Sequence, residues 1–460
     1  MRTSTSYKLM IGITAALMLQ AGQLMAAEYF LRADTTTLTL PNGSNVVMWG
    51  FARDTAFGAM DGVVTVPGPM LTVMPGDSTL IIHLDNRLPE PVSVMIPGQS
   101  IVPTPVRLGN GRARSFTTET PTTNGAPVDY VWTNLRPGTF LYESATHPSV
   151  QVQMGLYGCV RKDYAYGQSY PGVLFNAEVI LFYSEVDPAL HDAVATGQYG
   201  PGQAMPSTVN YLPKYFLING HPYTNGLTPI PSGQPGDNVM IHFLNAGLET
   251  HVPIVNNAYL RLIAEDGFPY PYPKDQYSVF LAAGKTIDAL FSSSTSNVFA
   301  VYDRRLDMMN GATATPGGML TYLGVSSPVC PTNLPQSWIT AYFGAGPIYP
   351  LGTTGPLDDP DGDGVNNLGE YIAGTDPTNA LSVFRIASIA SPAPSNTATV
   401  VFETTVTGRY YSLDYSTNLI TGIWEPVYTN VPGYPGSMEL IVPHSNDPAG
   451  FFRVNVDVCP

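Results

Sequence analysis

The sequence predicts an all-β protein built from several small β-sandwiches. Charged residues make up only 12% of the chain, whereas Gly (44 residues), Pro (43) and Tyr (27) are abundant. This composition is typical of short strands joined by many turns, and it disfavours helices with charged outer faces. Short alternating or apolar runs, each bounded by Gly or Pro, recur along the chain and indicate Greek-key sandwiches.

The first 27 residues predict a secretory signal. Two basic residues, Arg2 and Lys8, precede an apolar run at residues 9–19, and two small residues, Ala26 and Ala27, follow it. This order predicts cleavage after Ala26 or Ala27, and the apolar run is too short for a stable membrane span. No other apolar run approaches that length, so we expect the mature chain to be soluble and secreted, periplasmic or located at the cell surface.

The charge of the chain argues against nucleic acid as a partner. The formal net charge is −15, and loss of Arg2 and Lys8 with the signal removes two positive charges and leaves −17. Such a chain repels phosphate backbones, so cation binding or solubility is the natural use of the excess acid. We expect the partner to be an unknown extracellular molecule or further copies of the chain.

The three cysteines allow at most one disulfide within the chain. Cys330 and Cys459 both lie in a Val-Cys-Pro context, and sequence alone does not decide whether they pair. Because the number is odd, a spare thiol, Cys459 in particular, permits a disulfide between chains. Cys159 lies in an apolar strand and is predicted to be a buried, inert thiol.

An internal repeat predicts two copies of one domain. The segment PGDSTLIIHLDNRL, residues 75–88, is repeated as PGDNVMIHFLNAGL at residues 235–248. A period this long is typical of a duplicated domain and not of a solenoid. Counted from the Pro-Gly-Asp turn, His83 and His242 differ by one position, so we expect them on opposite faces of their strands and not as copies of one ligand.

Motifs around both copies resemble the first two domains of multicopper oxidases. The first copy carries VPGP at residues 66–69, YVW at 130–132 and GTFLYESATHPSVQVQMGLYGCV at 138–160. The second carries FLINGHPY, LIAEDGFPYP, LAAGKTIDALF and PGGMLTYLGV, at residues 216–223, 262–271, 281–291 and 316–325. The resemblance covers roughly Glu28 to Val325 and implies two cupredoxin-like sandwiches.

The resemblance also implies copper ligands at positions where this sequence has none. The family's His-x-His after Tyr142 is replaced by Glu143-Ser144-Ala145, and the other pair falls on VMIPG at residues 94–98. Nothing resembles the His-Cys-His run of the family's third domain, and no histidine flanks Cys159. Alanine offers no ligand atom, and a lone carboxylate prefers harder cations than copper. We therefore expect no trinuclear copper centre, and copper is a doubtful cofactor.

Two alternatives that retain copper stay open. The first is a copper-dependent oxidoreductase of the multicopper oxidase family that uses unrecognised ligands or those of a partner chain. The second is a periplasmic copper-binding protein that uses His147 and the thioethers of Met308, Met309 and Met319. Apolar packing is the commoner use of methionine, and we expect His147 to be a surface residue bonded to a turn.

A calcium-binding loop is predicted between residues 358 and 380. The segment DPDGDGVNNLGE, residues 359–370, has oxygen ligands at the spacing of an EF-hand loop, with Gly364 at the sharp turn. The following YIAGTDP resembles the end of a thrombospondin type 3-like repeat and adds one carboxylate. The predicted Ca²⁺ ligands are Asp359, Asp361, Asp363, Val365 through its carbonyl, Asn367, Glu370 and Asp376. Because there is only one such loop, we predict a stiffener and not a sensor.

These observations predict six segments in chain order. They are a signal peptide (1–27), two cupredoxin-like domains (28–165 and 166–330), a linker (331–357), the calcium loop (358–380) and a small C-terminal β-sandwich (381–460). The predicted function is a non-catalytic, exported scaffold related to multicopper oxidases. It would have a structural or binding role at the cell surface or matrix, with calcium stiffening the C-terminal junction.

Overall fold

The described residues of the computed structural model form three β-sandwiches. They are residues 26–101, 104–122, 127–224, 226–308, 317–326, 334–344, 353–390, 397–417, 424–443 and 450–458. Strands hold 46% of the residues and helices 9%, which confirms the predicted all-β class. The predicted signal peptide, apart from Ala26 and Ala27, lies outside the described residues, as do Cys330 and Cys459.

The first sandwich packs a four-stranded sheet against a three-stranded one. The sheets have the strand orders β2-β1-β4-β7 and β3-β9-β8. Its strands are β1 (Ala26–Thr39), β2 (Asn45–Asp54), β3 (Leu71–Val73), β4 (Thr79–Asn86), β5 (Val106–Arg107), β6 (Ala113–Ser115), β7 (Val128–Thr133), β8 (Gly138–Glu143) and β9 (Tyr157–Lys162), and helix α1 spans Pro148–Met154. Alternate residues of β4 face the core, as the period of a half-buried strand requires.

The second sandwich has sheets of six and four strands. Their orders are β13-β12-β15-β19-β17-β18 and β14-β21-β20-β16. The elements are β10 (Gln168–Tyr170), β11 (Val173–Leu174), β12 (Ala177–Val186), α2 (Pro188–Ala195), a 3₁₀ turn at Thr208–Asn210, β13 (Tyr215–Ile218), β14 (Ile230–Pro231), β15 (Val239–Asn245), β16 (Pro253–Val255), β17 (Leu260–Glu265), β18 (Phe268–Gln276), β19 (Thr286–Phe291), β20 (Asn297–Asp303) and β21 (Leu320–Val325).

The repeated segments occupy equivalent strands. In the first sandwich β4 runs parallel to β1, and in the second β15 runs parallel to β12 in the same way. The asparagine at the end of each repeat, Asn86 or Asn245, bonds through its Nδ2 to a backbone carbonyl four residues later. In the second sandwich, the strand equivalent to β1 is therefore β12, which precedes the FLINGHPY segment.

The third sandwich has two three-stranded sheets. They are ordered β22-β23-β26 and β25-β24-β27. The elements are α3 (Gln336–Phe343), α4 (Asn367–Ala373), β22 (Ile386–Ala390), β23 (Thr397–Thr405), β24 (Tyr410–Ser416), β25 (Glu425–Pro432), β26 (Gly436–Pro443) and β27 (Phe451–Asp457). Helix α3 lies inside the segment predicted to be a linker. The predicted domain boundaries themselves remain a prediction.

Apolar and polar contacts join the first two sandwiches. Leu141 and Cys159 of the first pack with Phe182 and Leu244 of the second in one buried cluster. Thr139 adds a polar contact between the two sandwiches. Its carbonyl accepts a 2.8 Å hydrogen bond from the hydroxyl of Thr286 in β19. Cys159 is a free thiol, and burial raises its pKa to about 12, which agrees with an inert thiol.

The third sandwich rests on the first through Tyr434. Its hydroxyl accepts a 2.8 Å hydrogen bond from Nη2 of Arg161 and donates one of 2.6 Å to Asp163. The Tyr434 ring also packs against Tyr166, with 5.5 Å between ring centroids. Beside this contact lies a cavity of about 610 Å³ that residues of all three sandwiches line. Among the described residues, no helix has the length and hydropathy that crossing a membrane requires.

Candidate metal sites

At the positions where the sequence resemblance implies copper-binding histidines, this chain has other side chains. Glu143 ends β8 and pairs with Met95 through two backbone hydrogen bonds of 2.9 Å, which brings both positions together. Burial raises the pKa of Glu143 to about 7. Ser144 donates a 2.6 Å hydrogen bond to the side chain of Gln151, and Ala145 is fully buried. A carboxyl, a hydroxyl and a methyl group do not match the imidazole nitrogens that suit copper.

Two histidines of the repeat occupy equivalent places, which corrects the sequence prediction. His83 and His242 each lie three residues before the asparagine that ends the strand, Asn86 or Asn245, and their strand neighbours face the core. Both side chains therefore point away from the core of their own sandwich. The prediction of opposite faces is wrong because the extra residue of the first copy is absorbed at the start of the strand, not within it.

The surroundings of these two histidines differ. His83 lies at the surface between Glu28 and Asp129, at 2.7 Å from each carboxylate. His242 is covered by the first sandwich, and its Nδ1 lies 2.7 Å from both Thr139 Oγ1 and Asp288 Oδ1. His147 is exposed immediately before α1, as expected, and its carbonyl accepts turn bonds from the helix. Among the described residues, neither group of three side chains able to hold a metal contains more than one histidine.

The predicted calcium loop is the first of these groups. Ligand oxygens of Asp359, Asp361 and Asp363 lie within 4.8 Å of one another. Glu370 lies on α4 and is fully buried beside them. Burial, followed by the charges of Asp361 and Asp363, raises the pKa of Glu370 to about 7. The loop thus gathers four acidic side chains that repel one another without a cation.

Several oxygens in this loop have no hydrogen-bond donor. They are Asp361 Oδ2, Asp363 Oδ2, Asn367 Oδ1 and Glu370 Oε2, all buried. The second oxygens of the aspartates accept backbone N–H groups within the loop, as Asp363 Oδ1 does from Val365 at 2.7 Å. Buried oxygens without donors are rare in folded proteins, and a bound cation is one of the ways to satisfy them.

The remaining predicted ligands are less closely tied to this cluster. Val365 follows the sharp turn at Gly364, whose φ is 95°. Asn367 is held by two hydrogen bonds of 2.9 Å from its Nδ2 to the carbonyls of Thr353 and Gly355. Asp376 caps the next turn, and its Oδ1 accepts hydrogen bonds from Thr378. The structure therefore gives Asp376 a local role.

Helix α4 connects the loop to the third sandwich. Arg409 donates hydrogen bonds of 2.7 Å to the carbonyls of Tyr371 and Ile372, near the C-terminal end of the helix. The helix ends at Gly374, whose φ is 78° and where an added Cβ would lie 2.6 Å from Val406. The position of α4, and with it Glu370, is thus fixed by contacts with the third sandwich.

The second group able to hold a metal lies in the second sandwich and has no sequence signature. His251 is fully buried, with Nδ1 2.8 Å from Asp303 Oδ2 and Nε2 2.5 Å from Glu185 Oε1. Asp307 Oδ2 lies 4.0 Å from the same Nδ1. These residues are far apart in the sequence, and no spacing rule connects them.

The pKa of His251 predicts a pH dependence of stability when chelator keeps metal away. Burial disfavours the charged ring, but Asp303 and Glu185 outweigh it and raise the pKa to about 9, above the usual value of about 6.5. The contribution of His251 to stability is therefore complete below about pH 6.5 and is lost as pH rises through 9. We expect the free energy of unfolding in EDTA to fall between pH 7 and 9.

Urea denaturation at a series of pH values measures this fall. The variant His251→Gln should lack this part of the fall, whereas His147→Gln, which removes an exposed histidine, should retain it. An identical fall in wild type and His251→Gln would show that other groups cause it.

Comparisons with known proteins agree with the fold. The class that the first two sandwiches define is cupredoxin-like, and a family profile described as multicopper oxidase matches residues 58–162. The blue copper oxidase from Nitrosomonas europaea is 18% identical, with a TM-score of 0.51, over 65% of this chain and 86% of that chain. The multicopper oxidase mgLAC is 20% identical, with a TM-score of 0.52, over 67% of this chain and 89% of that chain.

The comparisons support a relationship to multicopper oxidases. The structural similarities are at low sequence identity and show the fold alone, whereas the profile match carries the relationship within the first sandwich. The chain has no significant match among curated protein sequences.

Proposed function

We propose that this protein is an exported, non-catalytic relative of multicopper oxidases. Its cupredoxin-like sandwiches would serve as a structural or binding scaffold, and a calcium ion would order the junction with the C-terminal sandwich. Two observations carry the proposal: buried carboxylate and amide oxygens without donors in the loop at residues 359–370, and three aspartates of this loop whose ligand oxygens lie within 4.8 Å of one another.

The chemistry of the loop supports calcium as its ligand. Carboxylates and an amide oxygen are hard ligands, and Ca²⁺ takes six to eight of them in flexible geometry. The three clustered aspartates and the nearby Glu370 repel one another, so a divalent cation relieves both their charge and the unsatisfied oxygens of Asp361 and Glu370. Extracellular modules of this kind bind calcium with a Kd of about 10⁻⁴–10⁻³ M.

The stiffening role rests on the position of α4. The same helix carries the ligand Glu370 and the carbonyls that Arg409 caps. The ring of Tyr371 also packs against Trp338 of α3, at 5.9 Å between centroids. Calcium bound to Glu370 would fix the start of α4. The hydrogen bonds from Arg409 to the C-terminal end of α4 would then hold the third sandwich in a fixed position relative to the loop.

Isothermal titration of the purified full chain with Ca²⁺ tests the proposal. Wild type should bind one equivalent in the millimolar range or tighter, and the double variant Asp361→Ala with Glu370→Ala should bind none there. A matched control is Glu403→Ala with Glu425→Ala, which removes the same charge from exposed positions of the third sandwich. Absence of Ca²⁺ uptake by wild type, or Ca²⁺ uptake that is unchanged in the first double variant, would contradict calcium binding at this loop.

Calcium affinity should fall in mild acid. Because the pKa of Glu370 is raised to about 7, protons compete with calcium for this carboxylate below neutral pH. We expect the apparent association constant to fall about tenfold for each pH unit well below 7, provided that one proton is displaced. Titrations at pH 5.5, 6.5 and 7.5 measure it, and an affinity that is flat over this range would exclude Glu370 as the titrating ligand.

A copper-dependent oxidoreductase is the second candidate, and the relationship to multicopper oxidases favours it. Its ligands would come from unrecognised residues or a partner chain. The copper-carrier hypothesis has weaker support because Met319 is fully buried in the core of the second sandwich. Met309 lies outside the described residues. Metal analysis separates these candidates from the calcium scaffold.

Export and assembly are further parts of the proposal. The supporting observations are the signal-like first 27 residues and the odd number of cysteines in the sequence. Electrophoresis of protein secreted by its host, with and without reductant, tests the link between chains. A dimer band that reductant abolishes, and that Cys459→Ser lacks, would support it, whereas identical migration under both conditions would contradict it.

A further inference from the structure

We infer that the second sandwich holds a second metal site, for a zinc-class divalent ion, formed by His251, Asp303 and Asp307. Their ligand atoms, one imidazole nitrogen and two carboxylate oxygens, all lie within 4.8 Å of one another. This donor set is one that Zn²⁺ accepts, and three protein ligands leave a position for water. The site is separate from the calcium loop and does not depend on the proposed function.

Two of the three ligand residues, His251 and Asp303, are held in place by the atom that does not face the metal position. Nε2 of His251 lies 2.5 Å from Glu185 Oε1, which leaves Nδ1 to face the aspartates. Oδ1 of Asp303 accepts hydrogen bonds from the backbone N–H groups of Val252 (2.8 Å) and Arg305 (3.1 Å), which leaves Oδ2 to face His251. A carboxylate behind a ligating histidine and bonds behind a ligating carboxylate are typical supports of metal sites.

Glu185 is itself fixed by three donors. They are the backbone N–H groups of Leu248 (3.1 Å) and Glu249 (3.3 Å) and the hydroxyl of Tyr211 (3.3 Å). The side chains of Glu185, His251 and Asp303 are all 0% exposed. Water therefore does not compete for these groups, and the orientation of the imidazole is set by the fold.

Asp307 supplies the oxygen that lacks a hydrogen-bond donor. Its buried Oδ2 accepts no hydrogen bond, and Arg305 Nε is 3.7 Å away. Asp307 is the member closest to solvent, with a side chain that is 18% exposed. An ion can therefore enter beside it and keep a water ligand on this side.

The charge of the cluster favours a cation. Glu185, Asp303 and Asp307 contribute three carboxylates around one imidazole, and Arg305 is shared with Glu249 at 2.9 Å. On binding, the metal replaces the proton that lies between Nδ1 of His251 and Asp303, and this proton leaves to the buffer. The bonds formed are those from the ion to the nitrogen and the two oxygens, so no electron transfer is involved.

Zinc titration of the chelator-treated full chain tests the inference, with calcium at saturation so that the loop at residues 359–370 is filled. Wild type should bind one equivalent of Zn²⁺ and release a proton, seen as a dependence of the heat on the ionisation enthalpy of the buffer. Asp307→Asn should lose this equivalent. Glu185→Gln, a positioning change, should weaken binding about 10- to 100-fold. Asp275→Asn, at an exposed position of β18, should leave binding unchanged.

Cobalt provides a second readout of the same site. Co²⁺ in a site with nitrogen and oxygen ligands should give visible absorption in wild type that Asp307→Asn lacks while its circular dichroism stays native. The inference is overturned if wild type takes up no zinc, or if Asp307→Asn and Asp303→Asn, both folded, bind zinc as wild type does. If the loop variants lose calcium binding but still bind zinc, the zinc site is independent of the calcium loop.

Discussion

Replacing Arg161 with methionine is expected to destabilise the protein by about 3–5 kcal/mol, because it leaves the buried carboxylate of Asp163 without its cation. Arg161 is 2% exposed and contacts all three sandwiches. It lies on β9 of the first, its Nη1 lies against Glu178 of the second, and its Nη2 donates to Tyr434 of the third. Asp163, 3.5 Å from Nη2, is buried, whereas the side chain of Glu178 is 28% exposed.

Denaturation followed by tryptophan fluorescence measures this effect. Since a protein of three sandwiches need not unfold in one step, the shift should be assigned to the transition of each sandwich. Arg53→Met is the control, because Arg53 is exposed and stacks on Tyr29 at 4.7 Å, a contact that contributes only about 0.5–1 kcal/mol. Equal shifts for the two variants would show that Arg161 does not hold the sandwiches together.

Withdrawal of calcium is expected to lower the stability of the C-terminal sandwich by about 2.7 kcal/mol when the reference solution contains calcium at 100 times the Kd. The expected cause is loss of the positive charge of Ca²⁺, which offsets the repulsion between Glu370 and the carboxylates of Asp361 and Asp363. Repulsion among these groups loosens α4, and the contacts of Arg409 with Tyr371 and Ile372 weaken with it.

Thermal unfolding and limited proteolysis in calcium and in EGTA measure the effect. Proteolysis should cut first near the loop in EGTA and be slowed in calcium. Glu370→Gln should unfold alike in both solutions, whereas Glu425→Gln, an exposed change in β25, should respond as wild type does. A wild-type chain whose C-terminal sandwich unfolds identically in calcium and EGTA would contradict the stiffening role.

Features encoded by neighbouring residues could be predicted from the sequence. The all-β class follows from Gly- and Pro-bounded strands, and the repeat follows from two similar segments that form equivalent strands β4 and β15. The loop at residues 359–370 is also local, so its spacing alone places Asp359, Asp361 and Asp363 together. Whether calcium binds there remains a prediction.

Features made by distant residues could not be predicted. Asp303 is 52 residues from His251, and Glu185 is 66 residues from it, so only the folded sheet brings them together. Likewise, Tyr434 meets Arg161 across 273 residues. A histidine followed by Val-Pro gave no sign of a buried cluster, although the apolar surroundings of His251 in the sequence are consistent with burial.

Two errors had local causes. Helix α3 was missed because its eight residues are too few to show a clear helical period, and its ring contacts with Tyr371 lie outside its own segment. Counting from the Pro-Gly-Asp turn predicts the wrong faces for His83 and His242, because the register of a strand is set by its core-facing side chains. Counting from the asparagines would have given the correct face.

Metal analysis of the purified full chain tests the central claim most directly, namely that this cupredoxin-like scaffold no longer holds the copper of an oxidase. The protein should be produced with copper, calcium and zinc all supplied, analysed for each metal, scanned for blue-copper absorption and assayed for oxygen consumption with a phenolic donor. We expect calcium and zinc, no stoichiometric copper, no blue band and no turnover. Stoichiometric copper with oxidase turnover would contradict this claim.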